Sequence, residues 1–225
     1  MNKMLLSSRF EILNSFESSM RMLLRQRSLS NKENFSRDMM IVYKYVGSIK
    51  EGVFLAQEIK INFECFLPKL EREWKDADYK PLINATEKYA ERLANQLQKQ
   101  QELFEEVSLI ISSLDILEGA DAVKTTVKST LIPITLEFKI IKILCNIHNI
   151  LFRKDQHKLN EAIEEFLLEF RNLEECSSQP LLQLRCLIEQ IKISADMSTD
   201  ADIIRIMLQK VVDIAHNFIQ SFCGD

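Results

Sequence analysis

Two short patterns in this 225-residue chain have the residue types and spacing of a metal site. Cys145-x-x-His148 and Asp213-x-x-His216 each set two ligand types three residues apart, on one helix face. Together they would make a tetrahedral zinc site. Their neighbours argue otherwise. Cys145 and His148 share a face with Ile141, Leu144, Leu151 and Phe152, which reads as core; Asp213 and His216 share one with Gln209 and Gln220, which reads as a polar flank. A nucleophilic cysteine would need an electropositive, partly exposed setting. Cys145 reads as buried, and Cys176 follows Glu174 and Glu175, whose charge would raise its pKa. The acidic pairs Glu164/Glu165 and Glu174/Glu175 are adjacent, so their side chains diverge on a helix and read as solvated charge. The chain has no glycine-rich phosphate loop, H-E-x-x-H helix, EF-hand loop or C-x-x-C pair. It also lacks an aspartate-rich magnesium motif and the Glu-x-x-His pairs of a di-iron bundle. No catalytic residue, cofactor or metal is therefore expected.

The features that remain belong to binding. Arg21 and Arg25 are four apart and share a helix face, with Arg27 close behind. The run RQRSLS at 25–30 puts an arginine three residues before Ser28 and another three before Ser30, the spacing basophilic kinases accept. Both serines are candidate phosphorylation sites, and phosphate on Ser30 would lie at a helix start, where negative charge is favoured. Trp74, the only tryptophan, stands among Glu71, Glu73 and Asp76 and is a candidate interface anchor. Tyr43 and Phe54 complete the candidate partner contacts. No aromatic residues interleave the arginines, so nucleic acid is not an expected ligand.

Helices must position these groups. Ser8 and Glu11 have capping-box spacing, and Phe10, Leu13, Phe16, Met20 and Leu24 follow as a stripe, which predicts a helix over 9–28. Ser30 and Glu33 repeat the box. Then Phe35, Met39, Val42, Val46, Ile49, Val53, Ala56, Lys60, Phe63 and Leu67 alternate steps of four and three, a coiled-coil pattern. Phe54, Ile59 and Phe66 widen this stripe, so the helix over 32–67 should meet more than one neighbour. Pro68 should end it, and Pro81 should open the next helix. That helix carries Thr86, Tyr89, Leu93, Leu97, Leu103, Val107 and Ile111. Its middle, NQLQKQQ at 95–101, reads as a solvated stretch, or as a polar break that sets register or partner. Residues 132–140 alternate with a period of two, yet no sheet partner exists, so a central helix over 132–152 is expected. Further helices are expected over 155–173, after a loop at Cys176–Pro180, and after a break at 194–199. The expected fold is all-α, a bundle of about seven helices, long in the N-terminal half and shorter in the C-terminal half. Gly119 marks the expected boundary between segments 1–118, with its basic head, and 119–225; the alternative is a single continuous bundle across it.

Composition agrees. Hydrophobic residues make up 46% and charged residues 28%, enough for a real core. Four Gly and four Pro are too few for a turn-rich β fold. The net charge of −4 hides an asymmetry: residues 1–50 hold nine Lys/Arg and four Asp/Glu, and the rest is acidic. An odd set of five scattered cysteines, without an apolar leader, fits a reducing cytoplasmic or nuclear compartment. The charges within Leu131–Phe152 count against a membrane span. The expected function is a non-catalytic helical scaffold, adaptor or complex subunit, engaging a protein partner, or a second copy, through a helix face. Two other expectations are binding of an anionic membrane by the basic first helix and an enzyme whose motif is not visible in the sequence.

Overall fold

The stripes with steps of three and four become helices in the computed structural model. It describes residues 9–27, 32–72, 79–113, 156–197 and 201–223, with positions 142–143, 146–147 and 150. The elements are α1 (Arg9–Arg27), α2 (Lys32–Glu64), α3 (Leu67–Arg72), α4 (Lys80–Ser112), α5 (Gln156–Asp196) and α6 (Ala201–Cys223). Among the described residues there is no strand, and the chain is all-α. Five of these helices are long, not about seven, and the longest is α5, with 41 residues in the C-terminal half.

The break expected at Cys176–Pro180 accounts for one helix of that difference, and the helix expected over 132–152 lies mostly outside the described residues. α5 runs straight through Pro180. A proline inside a helix costs about 3 kcal/mol, because it removes one N–H and crowds the preceding turn. Leu173, Leu181 and Leu184, on both sides of it, are buried, and each contributes roughly 1.5–3 kcal/mol by leaving water. Burial on both flanks outweighs the local penalty. Pro68 likewise does not follow a helix directly: α2 stops at Glu64, and Pro68 lies in the first turn of α3, where no N–H is needed. Pro81 opens α4 as expected. The alternation at 132–140 and the boundary near Gly119 lie outside the described residues. Ile143, Ile147 and Ile150 are helical and buried, with helical spacing.

The chain divides into two compact units, one of residues Met1–Gly47 with Gln101–Glu175, the other of Ser48–Gln100 with Cys176–Asp225. In the first, α1 buries Leu13, Phe16, Met20, Leu23 and Leu24. Phe16 stacks on Phe166 and Phe170 at 6.5 and 5.6 Å, and Phe170 stacks on Phe104 at 4.9 Å. Tyr45 tilts against Phe170 and donates a hydrogen bond of 2.9 Å to Glu174 Oε2. Glu174 is thus buried, at 5% exposure, and not solvated, while Glu175 is exposed. Adjacent residues diverge on a helix, and here one of the pair lands on the core face beside Phe170. Burial, and then the neighbouring carboxylate, push the Tyr45 phenol well above its ordinary value.

In the second unit, Ile49, Val53, Ala56, Ile59 and Phe63 of α2 are buried, as are Leu82, Tyr89 and Leu93 of α4. Leu181, Leu184, Ile188 and Ile191 of α5 and Ile204, Leu208, Val211, Ala215, Phe218 and Phe222 of α6 complete the core. α3 packs on α6. Cross-helix contacts Glu51 to Lys99 and Glu58 to Arg92 run in opposite residue order, so α2 and α4 are antiparallel.

The two α2 glycines differ in role. A Cβ on Gly47 would meet nothing within 4 Å, whereas one on Gly52 would come 2.9 Å from Leu181 Cδ1, on a fully buried side chain. Gly47→Ala should therefore stabilise the protein by about 0.5–1 kcal/mol through helix propensity. Gly52→Val should destabilise it by about 1–3 kcal/mol through overpacking. Urea midpoints of the two variants test both signs.

Candidate functional site

α2 and α4 leave an open groove on the outer side of the second unit, of about 440 Å³. Its α2 wall is Glu51, Phe54, Leu55 and Glu58; its α4 wall is Arg92, Asn95, Gln96 and Lys99. Helix geometry explains Phe54. Val53 and Leu55 on either side turn into the core, so the residue between them turns out, and Phe54 is 65% exposed. The spacing that widened the core stripe in the sequence thus puts an aromatic ring at the surface.

Two ion pairs cross the groove. Lys99 Nζ lies 2.6 Å from Glu51 Oε2, and Arg92 Nη1 lies 2.6 Å from Glu58 Oε1. The same Glu58 oxygen accepts the Tyr89 hydroxyl at 3.1 Å and has Lys88 Nζ at 3.7 Å. The hydrogen bond from Arg92 is the main reason that the Glu58 carboxyl is held below its ordinary value; partial burial opposes it, and Tyr89 and Lys88 assist. The Tyr89 phenol is pushed up to about 12, first by burial and then by its bond to Glu58. Such a carboxylate stays ionised, which is the reverse of a general acid tuned near neutral pH. A large apolar ring between paired charges is suited to docking.

Arg21 and Tyr43 come together in the first unit. The Arg21 guanidinium hydrogen-bonds the Tyr43 hydroxyl, lies 5.6 Å from its ring centre and pairs with Glu17 at 3.6 Å. Arg25 is exposed on the same helix. Phe54 belongs to the second unit. The Arg27 side chain, Ser28, Ser30 and Trp74 lie outside the described residues, as do Cys145 and His148. Asp213 and His216 are exposed on α6, and Asp213 accepts a hydrogen bond from Gln209 at 2.9 Å. Among the described residues, no three His, Cys, Asp or Glu side chains are grouped to hold a metal ion. Cys65, Cys176, Cys186 and Cys223 are exposed free thiols. No described helix is long and apolar enough to cross a membrane. Leu13, Phe16, Met20, Leu23 and Leu24 of α1 are buried, while Arg21, Arg25 and Met22 are exposed.

The charged rim is what the sequence reading missed. Glu51 and Glu58 are seven apart on α2, and Arg92 and Lys99 are seven apart on α4. Matched heptad charges flanking two apolar stripes are the signal of an interhelical seam. No family model, curated protein or solved structure matches the chain.

The groove carries a pH signature. A carboxyl depressed in the folded state contributes stability that is present above the ordinary value of 4.5 and is lost as pH falls through the lowered one. Tyr89 is raised, so its contribution is present below pH 10 and lost as pH climbs towards about 12. Glu58→Gln should flatten the acid limb of a urea-midpoint profile, and Tyr89→Phe should flatten the alkaline limb.

Proposed function

We propose that this chain is a non-catalytic α-helical interaction module, acting as scaffold, adaptor or complex subunit, that seats a partner helix in the α2/α4 groove. The observation that carries the reading is Phe54. An aromatic ring 65% exposed, set in a groove and flanked by cross-helix ion pairs, has the make-up of a hot spot: a large apolar anchor inside a polar rim. A partner helix laid along the groove would cover the ring and meet carboxylates on the α2 wall and cations on the α4 wall. Burying a phenylalanine contributes roughly 1.5–3 kcal/mol. The bound segment resembles the third strand of a coiled coil more than a ligand in a cavity, and a second copy of the chain is one form it could take. A lipid-surface role for α1 has less support, because Leu13, Phe16, Met20, Leu23 and Leu24 are buried within the first unit and leave Met22 as its exposed large apolar side chain among the described ones.

Affinity capture of the tagged full-length protein from its native cells, with cross-linking, tests this reading. A partner recovered at near-equal stoichiometry should cross-link to α2 or α4. Phe54→Ala should weaken that complex by about 2 kcal/mol, roughly 30-fold, with an unchanged helical circular-dichroism spectrum. Binding indifferent to Phe54→Ala, or no stoichiometric partner and no self-association, would sink the proposal.

A further inference from the structure

The core stripe of α4 has two glutamines in its middle. Thr86, Tyr89, Leu93, Gln96, Gln100, Leu103, Val107 and Ile110 follow steps of three and four without a break, and all are buried, Gln96 at 8% and Gln100 at 0% exposure. The stretch NQLQKQQ is therefore not solvated all round. Each amide reaches a different helix of the second unit. Gln96 Nε2 donates to the Ser48 carbonyl of α2 at 2.6 Å, and Gln100 Nε2 donates to Ser177 Oγ of α5 at 2.7 Å. We infer that this layer is a register lock: it specifies which residues of α2, α4 and α5 face one another, at the expense of stability.

Three observations support the lock. First, leucine at either position would add apolar burial, whereas a buried amide at best recovers the hydrogen bonds it had in water. Second, each amide meets its acceptor at close range on a different helix, 2.6 Å to the Ser48 carbonyl and 2.7 Å to Ser177 Oγ. Third, a slip of one heptad breaks both bonds at once. It would set Gln96 against Leu55, whose carbonyl lies beneath the buried, β-branched Ile59, and Gln100 against the buried Leu184. Apolar layers tolerate a heptad slip; buried amides with fixed acceptors do not.

The test is an apolar layer in the full-length protein, combining Gln96→Leu, Gln100→Leu and Ser177→Ala. Its thermal midpoint should rise by about 5 °C, while its amide NMR spectrum should show more than one set of peaks, or native mass spectrometry new oligomers. Ser177→Ala alone should lower the midpoint and keep a single set, because Gln96 still reads Ser48. A triple variant that is more stable and still single-state would overturn the lock. One that is less stable, or does not fold, would also overturn it, since the amides would then be supplying stability.

Discussion

The approach of α5 to α2 at Gly52 constrains the rest of the second unit. Leu181 lies where a side chain on Gly52 would be, and it directly follows Pro180. Burying Leu181 there helps to hold α5 helical through a proline that would end an exposed helix. One turn earlier on α2, the Ser48 carbonyl accepts from Gln96 Nε2. The apolar contact of α5 at Gly52 and the polar contact of α4 at Ser48 thus lie within one turn of α2.

Outside that core, the groove is held by less. Its ion pairs are between side chains roughly 40–56% exposed, and pairs of that kind contribute about 0–1 kcal/mol each. The helices stay together through Val53, Leu55, Ile59, Tyr89 and Leu93, not through the charges over them. Side chains of the rim can therefore exchange partners at small cost while the walls stay in place. That combination, rigid helices under an adaptable charged rim, is what a docking surface needs.

The first unit shows the opposite economy. Phe16, Phe104, Phe166 and Phe170 form a stacked cluster, and Tyr45 with Glu174 gives it a buried polar end. α1 contributes Leu13, Phe16, Met20, Leu23 and Leu24 to this unit. Most of the amphipathic face that would be needed to enter a lipid surface is thereby used within the unit. The Arg21 guanidinium is held against Tyr43 and Glu17, which gives it a defined geometry.

Periodicity alone was sufficient for the helical class and for the core face of α2, where Met39, Val42, Val46, Ile49, Val53, Ala56 and Phe63 are buried as the three-four pattern requires. Local signals were also enough at Pro81, because a first-turn proline depends on nothing distant. They failed at Pro180, where the penalty is local but the compensation comes from leucines packed against other helices. At Gln96 and Gln100 they left two readings open, a solvated stretch or a polar break, because the choice depends on Ser48 and Ser177, 48 and 77 residues away in the chain. Glu174 was misread for the same reason, since its partner Tyr45 lies 129 residues off. Phe54 could be seen to lie off the main stripe, but a residue off one stripe can serve a second interface or face water. Propensity and pattern are properties of neighbours along a helix, so the sequence by itself determined where helices form and which side of each is apolar. Which polar groups are buried, which breakers are tolerated and which apolar ring is left outside depend on contacts between distant segments, and only the tertiary structure decided them.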